Sequence, residues 1–382
     1  MKILAVNWRD PGNPEAGGAE IHLHHILTRA AAAGHRVVQV SHAVQGLPEV
    51  QDMDGVEIRR NGFWYSFNLS VKKYCEGLGL DSFDLILEDI CKVPVFTPLW
   101  SGVPVLAVVP HLFGTTAFRE VGAVKAAYVN LLESFIPGVY RGCPFVAISE
   151  STRRDLLRRG VPGDAVEVVP CGMDTGIYRP DPGVPVDTGR FLYVGRLRKY
   201  KGVQHAIRAL SILRERRFDV RLTVLGEGDY AAELKSLSRR LGLEDRVDFE
   251  GFVPLERKLY CLRNCCAAVF PSEKEGWGLT VIEANCCGSP VIASRSDGLT
   301  DSVRHGETGL LVTHGHPREL ADAMERMITE PGLRAGLSKG GLEWGAGFDW
   351  DATGSAMLRI MERTVRSRRR ASPQENRAAR HS

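Results

Sequence analysis

Residues 271–298, PSEKEGWGLTVIEANCCGSPVIASRSDG, carry two glutamates, Glu275 and Glu283, eight positions apart, with the turn Gly276-Trp277-Gly278 directly after the first. Ahead of them the apolar run 267–270 predicts a short buried strand, and the spacing of Leu279, Ile282 and Ala284 predicts a helix opening at Leu279. A glycine-rich turn that opens a helix presents unpaired backbone N–H groups and the positive end of the helix dipole, which together cradle an anion. Glu275 then stands in the loop before the helix and Glu283 inside it. Carboxylates repel phosphate but accept hydrogen bonds from hydroxyls. Phosphate in the middle with hydroxyls on either side describes a sugar nucleotide.

The rest of the chain suits that ligand. Its 382 residues are 44% hydrophobic and 25% charged, the balance of a folded enzyme, and the length predicts two domains. A formal net charge of +3 gives no case for nucleic acid as a partner. No run reaches the roughly 18 apolar residues of a membrane span. The opening MKILAVNWRD has Trp-Arg-Asp where a signal peptide needs small residues, so it reads as a first strand of a cytoplasmic chain. Nine cysteines in no regular framework read as reduced thiols. The pairs Cys265-Cys266 and Cys286-Cys287 lack the C-x2-C spacing of structural zinc and read as small packing residues.

From the N-terminus, a strand at 2–6, a Gly- and Pro-rich loop, a helix at about 19–33 and a strand at 37–40 open a parallel sheet. Gly17 and Gly18 fall at the loop-to-helix junction, where a missing Cβ lets a ligand approach the backbone; a plain tight turn is the other reading. His22, His24 and His25 at the start of this helix read as a solvated face rather than a metal site. Asp52-Met53-Asp54, followed by Gly55, reads as a surface turn between strands with no catalytic role. Further strands at 84–87, 105–109, 145–148 and 166–169 end in polar residues, Glu88-Asp89, His111, Ser149-Glu150-Ser151 and Asp174. Ligands of open α/β sheets gather at that edge, and His111 is the best candidate in this half to touch sugar or acceptor. Between 113 and 140 charges are few, and Ala126, Val129, Leu132 and Phe135 recur at threes, an amphipathic helix that packs in the core. A wall for a greasy acceptor or a contact with anionic membrane is the alternative there; Lys72-Lys73 and the arginines at 153, 154, 158 and 159 read as solvated faces, with anionic lipid as their alternative.

A second round of strands starts at 191–194, 222–225, 247–249, 267–270 and 291–292, and each runs straight into a motif: Gly195-Arg196, Gly226-Glu227-Gly228, Gly251, the stretch 271–298, and Ser294. Arg196 and Lys201 put two positive charges where a diphosphate collects negative charge as its glycosidic bond breaks. They stand in for a divalent metal.

The spacing of Glu275 and Glu283, Arg196 and Lys201 in YVGRLRKYKG, Gly17 and Gly18 in PEAGGAE, and VVPCGMDTGIYRP at 168–180 resemble, in order and over nearly the whole chain, the retaining glycosyltransferases of the GT-B fold, the large family numbered four. The resemblance implies an α/β fold of two Rossmann-like domains facing across a cleft. With the composition it divides the chain into an acceptor domain at 1–180, a linker at 181–189, a nucleotide-sugar domain at 190–346, a helix at 347–365 crossing back to the first domain, and a disordered basic tail at 366–382. It implies that Glu283 binds ribose hydroxyls and that the N–H groups of Gly278, Leu279 and Thr280 meet the diphosphate. Gly195, Gly251, Gly276 and Trp277 complete the donor site, Trp277 standing where phenylalanine is common. Glu275 holds the transferred sugar with His111 on its other side, the Gly17-Gly18 loop meets the donor diphosphate, and Glu20 lies near the acceptor. The implied reaction moves a hexose from a UDP- or GDP-sugar to a hydroxyl acceptor, with retention and with no cofactor or metal. Glycan, lipid-linked sugar and small metabolite all remain open as acceptors. A nucleotide-sugar hydrolase or epimerase, and a non-catalytic sugar-nucleotide-binding partner, are the other readings.

Overall fold

The computed structural model describes residues 1–114 and 122–378. The chain divides into two compact units, one built from the described residues of 1–172 together with the C-terminal helix, the other centred on Met173–Asp349.

Unit 1 holds an eight-stranded sheet in the order β3-β4-β2-β1-β5-β6-β7-β8. Its strands are β1 (Lys2–Val6), β2 (Arg36–Ser41), β3 (Val50–Met53), β4 (Val56–Arg60), β5 (Leu85–Asp89), β6 (Val105–Val109), β7 (Phe145–Ala147) and β8 (Val166–Val168). All neighbours pair in parallel except β3 with β4. Every residue of β5 and β6 is buried, which is why these strands read as continuous apolar runs rather than alternating ones. One face is covered by α1 (Gly18–Ala32) and the long C-terminal helix, which bury Leu23, Ile26 and Leu27 against Met357, Ile360 and Met361. The other face is covered by α2 (Phe67–Gly77) through Phe67, Val71 and Cys75. Asp52 and Met53 are the end of β3, and the turn between the strands is Asp54-Gly55: both have positive φ, and Asp52 Oδ1 accepts from the Gly55 N–H at 3.1 Å. Two further helices of this unit are α3 (Ala123–Ser134) and α4 (Ile136–Val139), followed by α5 (Glu150–Arg158).

Unit 2 holds a six-stranded, wholly parallel sheet in the order β11-β10-β9-β12-β13-β14. The strands are β9 (Asp187–Val194), β10 (Arg221–Leu225), β11 (Val247–Gly251), β12 (Cys265–Phe270), β13 (Val291–Ser294) and β14 (Gly309–Val312). On one face α6 (Val203–Glu215), α7 (Ala231–Arg240) and α11 (Pro317–Thr329) bury Ile207, Leu210, Leu234 and Met324. On the other lie α8 (Leu255–Asn264) and α9 (Leu279–Cys286), the short α10 (Leu299–Ser302), and α12 (Pro331–Gly345) packed on α9. Counting its strands in sequence as one to six, the order is 3-2-1-4-5-6, the doubly wound Rossmann arrangement. The order reverses between β9 and β12, so the crevice for a ligand opens outside the carboxyl ends of those two strands.

Two expected boundaries move. The division by contacts falls after Gly172 rather than in a linker at 181–189, and Asp187–Gly189 are the start of β9, drawn into the sheet beside Cys265. The final helix, α13, runs Trp350–Ala378, past 365 and through most of the stretch read as a disordered tail. Arginine and alanine, good helix formers, carry the helix on from 366 to 371 after its apolar stripe ends, whereas Pro373 beyond them disfavours it.

Candidate active site

The two loops at the switch point carry the charges. Arg196 follows β9 and Lys201 precedes α6, while Glu275 lies between β12 and α9. Lys201 Nζ lies 2.6 Å and 2.8 Å from the two carboxylate oxygens of Glu275, and both side chains are mostly buried. Burial works against the Lys201 charge, but the Glu275 carboxylate outweighs it and raises the ammonium above the ordinary lysine value. Arg196 is close enough to oppose that charge, is exposed, and has no acidic partner among the described residues. The site therefore presents one fixed, neutralised cation and one cation open to an anion.

Backbone contacts lock these loops together. Glu273 N–H donates to Tyr200 O at 2.8 Å, and Glu275 N–H to Asp297 O at 3.0 Å. Gly202, at φ 74°, lies so close that a Cβ would sit 2.0 Å from Pro271 O; at Gly298, φ 80°, it would sit 2.2 Å from Glu275 O. Only glycine fits at either place. Gly278, in the left-handed region at φ 89°, caps α9. The N–H groups of Gly278, Leu279 and Thr280 donate to no group of the chain among the described residues, which leaves the helix N-terminus open as an anion cradle. Gly195 and Gly251 end β9 and β11, linked through Gly226, whose Cβ would sit 2.1 Å from Gly195 O and whose N–H donates to Gly251 O.

Glu283 lies a turn further on, inside α9, and is not free: Lys258 Nζ is 2.6 Å from its carboxylate and donates to the half-buried Tyr178 hydroxyl at 3.2 Å. Burial and then the Glu283 charge push that hydroxyl far above its ordinary value, so it stays protonated. Lys258 went unmarked in the sequence and Tyr178 stood in the stretch 168–180 with no role of its own; they lie 25 and 105 positions from Glu283, and no local spacing could have shown the contact. Trp277 is 5% exposed and stands edge-on to Phe348, which stands edge-on to Trp344. Its ring is therefore part of an aromatic stack in unit 2, and only its backbone shares the glycine turn. The paired cysteines 265, 266, 286 and 287 are all buried free thiols, as read.

In unit 1 Gly17 N–H donates to Glu20 Oε2 at 2.8 Å, so Glu20 caps its own helix, and its other oxygen is 3.8 Å from Lys92. At the end of β5, Asp89 is 2% exposed, accepts from Asn7 Nδ2 at 2.9 Å, and leaves Oδ1 unbonded. Burial, then the Glu20 charge, push the Asp89 carboxyl well above the usual carboxylate range. Glu88 is taken up by Thr97, Val95 and Tyr140 and is structural. His111 follows β6 with its ring edge-on to Phe113 at 5.0 Å. The histidines of α1 are not a solvated face: His22 is fully buried, His25 stacks on Trp350 at 4.2 Å, and His24 bonds Asp54. The C-terminal helix lies over α1 and covers them, a contact across more than 300 residues that α1 alone cannot announce.

Two models of glycosyltransferase family match successive parts of the chain, together residues 16–344: Glycosyltransferase Family 4 over residues 16–177 and Glycosyl transferases group 1 over residues 174–344. The chain belongs to this glycosyltransferase family. A D-inositol 3-phosphate glycosyltransferase of Acidothermus cellulolyticus is 36% identical over 56% of this chain and 52% of its own length. One of Pseudarthrobacter chlorophenolicus is 32% identical over 56% and 54%. The chain thus spans about half the length of these curated relatives. An uncharacterized glycosyltransferase of Methanocaldococcus jannaschii is 26% identical over 87% of this chain and 90% of its own. Among solved structures, sucrose-phosphate synthase of Thermosynechococcus elongatus superposes with a TM-score of 0.80 at 23% identity, covering 96% of this chain and all of that one. Anabaena HepE in complex with UDP and glucose gives 0.76 at 21%, covering 95% and 99%. The fold is GT-B.

Proposed function

We propose that this chain moves a hexose from a UDP- or GDP-linked donor to a hydroxyl acceptor, with retention of anomeric configuration and without an essential metal or cofactor. The observation that carries the reading is the Lys201–Glu275 pair with the unpaired Arg196, placed at the switch point of the unit 2 sheet. In this reading the diphosphate binds the N–H groups of Gly278, Leu279 and Thr280, with Arg196 and Lys201 on its oxygens. As the C1–O bond to the diphosphate breaks, those cations take up the charge that develops on the leaving oxygen. The acceptor oxygen bonds to C1 on the face being vacated, and its proton passes to the departing phosphate. Glu275 takes hydroxyls of the sugar and Glu283 those of the ribose. His111, Gly17, Gly18 and Glu20 of unit 1 keep in this reading the roles that the family resemblance gives them. That HepE is solved with UDP and with UDP-glucose supports a nucleotide-sugar donor of this kind.

Thermal shift tests this directly. UDP, GDP, ADP, TDP and CDP are each added with EDTA and with magnesium, since a ligand at a hundred times its Kd stabilises the folded state by about 2.7 kcal/mol. One diphosphate raises Tm equally under both conditions, and Lys201→Ala loses most of that shift. No shift with any of them, or a shift only with magnesium, removes the reading.

A further inference from the structure

One helix of unit 1 turns an apolar row outward. On α3 the buried positions are Ala126 and Glu133, while Val124, Tyr128, Leu131 and then Phe135, spaced at i, i+4, i+7 and i+11, face outward. Of the stripe read at Ala126, Val129, Leu132 and Phe135, Ala126 is buried, Val129 and Leu132 are half-buried and Phe135 is exposed, so the inward face is largely where the periodicity put it, and the outward row is a second apolar face. Glu133 sits on the inner side: fully buried, it accepts from the N–H groups of Phe113 and Gly114 at 2.7 Å and 3.0 Å and pairs with Arg159 at 3.1 Å. That polar anchor fixes which way the helix faces and leaves the second apolar row to solvent.

The stripe has company. Asn68 Nδ2 donates to Tyr128 OH at 3.0 Å, which places the start of α2 beside it. Immediately before α2, Phe63, Trp64 and Tyr65 are each more than half exposed and stack only on one another, and Leu69 on α2 is 79% exposed. Five aromatic residues, Phe63, Trp64, Tyr65, Tyr128 and Phe135, and three aliphatic ones, Leu69, Val124 and Leu131, are thus exposed on neighbouring segments, and grouped apolar exposure of this kind marks an interaction surface. The charges on these segments are one-sided. Among the exposed residues of 61–79 and 122–142 there are four cations, Lys72, Lys73, Lys125 and Arg141, against one carboxylate, Glu76.

We propose that this face is a docking surface for an anionic lipid bilayer. Tryptophan, tyrosine and phenylalanine with aliphatic neighbours enter the headgroup boundary, and lysine and arginine meet the negative surface; the two attractions act together. Among the described residues no helix is long and apolar enough to cross a membrane, so this contact lies on the surface. Docking stands independently of the transferase reading. Combined with it, docking narrows the acceptor to a hydroxyl compound held at the membrane.

The test is co-sedimentation of the full chain with vesicles of phosphatidylcholine alone and of phosphatidylcholine mixed with phosphatidylglycerol. The chain binds the anionic vesicles, and binding weakens with salt. Trp64→Ser combined with Leu131→Ser lowers the affinity about tenfold or more, while Tm and the diphosphate-induced shift stay as in the parent. Lys72→Glu combined with Lys125→Glu lowers it as well. Failure to bind anionic vesicles, or equal binding by the Trp64/Leu131 variant, overturns the proposal. So does a concentration-dependent dimer that the same variant abolishes, because a second copy then covers the face. A parent chain that binds vesicles but no diphosphate leaves docking standing and sinks the transferase reading instead.

Discussion

Lys201 and Glu275 hold each other in the structure without donor, and that pairing sets what their replacement does. Lys201→Ala removes the cation that the proposed reaction sets on the leaving group, and it strands a largely buried carboxylate. Turnover is expected to fall by about 10² to 10³, the loss typical for one electrostatic group at a reacting centre. Circular dichroism and Tm of the same variant report whether the fold persists, and unchanged turnover refutes the role. Gly298→Ala probes the scaffold rather than the charge: its Cβ would sit 2.2 Å from Glu275 O at a positive φ. A loss of about 1–3 kcal/mol in urea unfolding is expected, together with weaker diphosphate binding, because Glu275 must move. Gly34, also at positive φ but with open space around it, is the control that tolerates alanine better. The paired glutamates and the two cations were legible in the sequence because their spacing within one loop reports them. Lys258 and Tyr178, which pin Glu283, were not, because only the packing of α8 and of the segment at 178 against α9 brings them in.

Packing of α13 over α1 buries His22 and holds it neutral. Burial, then the neighbouring His25, lower the His22 imidazole from 6.5 to about 4. The unfolded chain therefore binds a proton that the folded chain refuses between those values. Stability is fully present above about pH 6.5 and is lost as pH falls toward 4, by up to ~3 kcal/mol for this residue. His205, lowered to about 4 by burial and then His314, adds a slope of the same sign in unit 2. His22→Leu is expected to flatten the fall of Tm between pH 6.5 and 4; an unchanged slope assigns the acid sensitivity elsewhere. The periodicity of α1 correctly marked a helix, yet the face bearing three histidines looked solvent-exposed. Its true environment is another helix from the far end of the chain. In α3 the threefold spacing placed the inner face at Ala126, Val129 and Leu132, but it did not mark Glu133 as buried or the second apolar row, Val124, Tyr128 and Leu131, as exposed.

At the scale of the molecule, each unit is a doubly wound sheet with its own core, but unit 1 is not finished until the chain returns at Trp350. Met357, Ile360, Met361 and Val365 are all buried against its sheet side. Each contributes on the order of 1.5–3 kcal/mol of burial, so a chain ending at Asp349 loses an amount comparable to the roughly 5–15 kcal/mol a domain holds in reserve. Such a truncation is expected to unfold or aggregate unit 1, while the diphosphate binding proposed for unit 2 persists in whatever remains soluble. Cooperative melting of the truncated chain at the parent Tm counts against that division of labour.

Apolar runs bounded by glycine and proline determined the strands, because a strand buried on both faces leaves nothing polar in the run. Residue spacing likewise marked the glycine turn ahead of α9 and the cation pair after β9, because each lies within one loop. Tertiary structure alone decided that β9 and β12 are neighbours at the reversal of the sheet, which brings Lys201 onto Glu275 across 74 positions. It alone decided that α13 belongs with the N-terminal sheet, and that an apolar helix face points to solvent. These are contacts between residues far apart in the chain, and a buried charge or a covering helix can decide which face of a helix is hidden, because its energy is comparable to that of an apolar stripe.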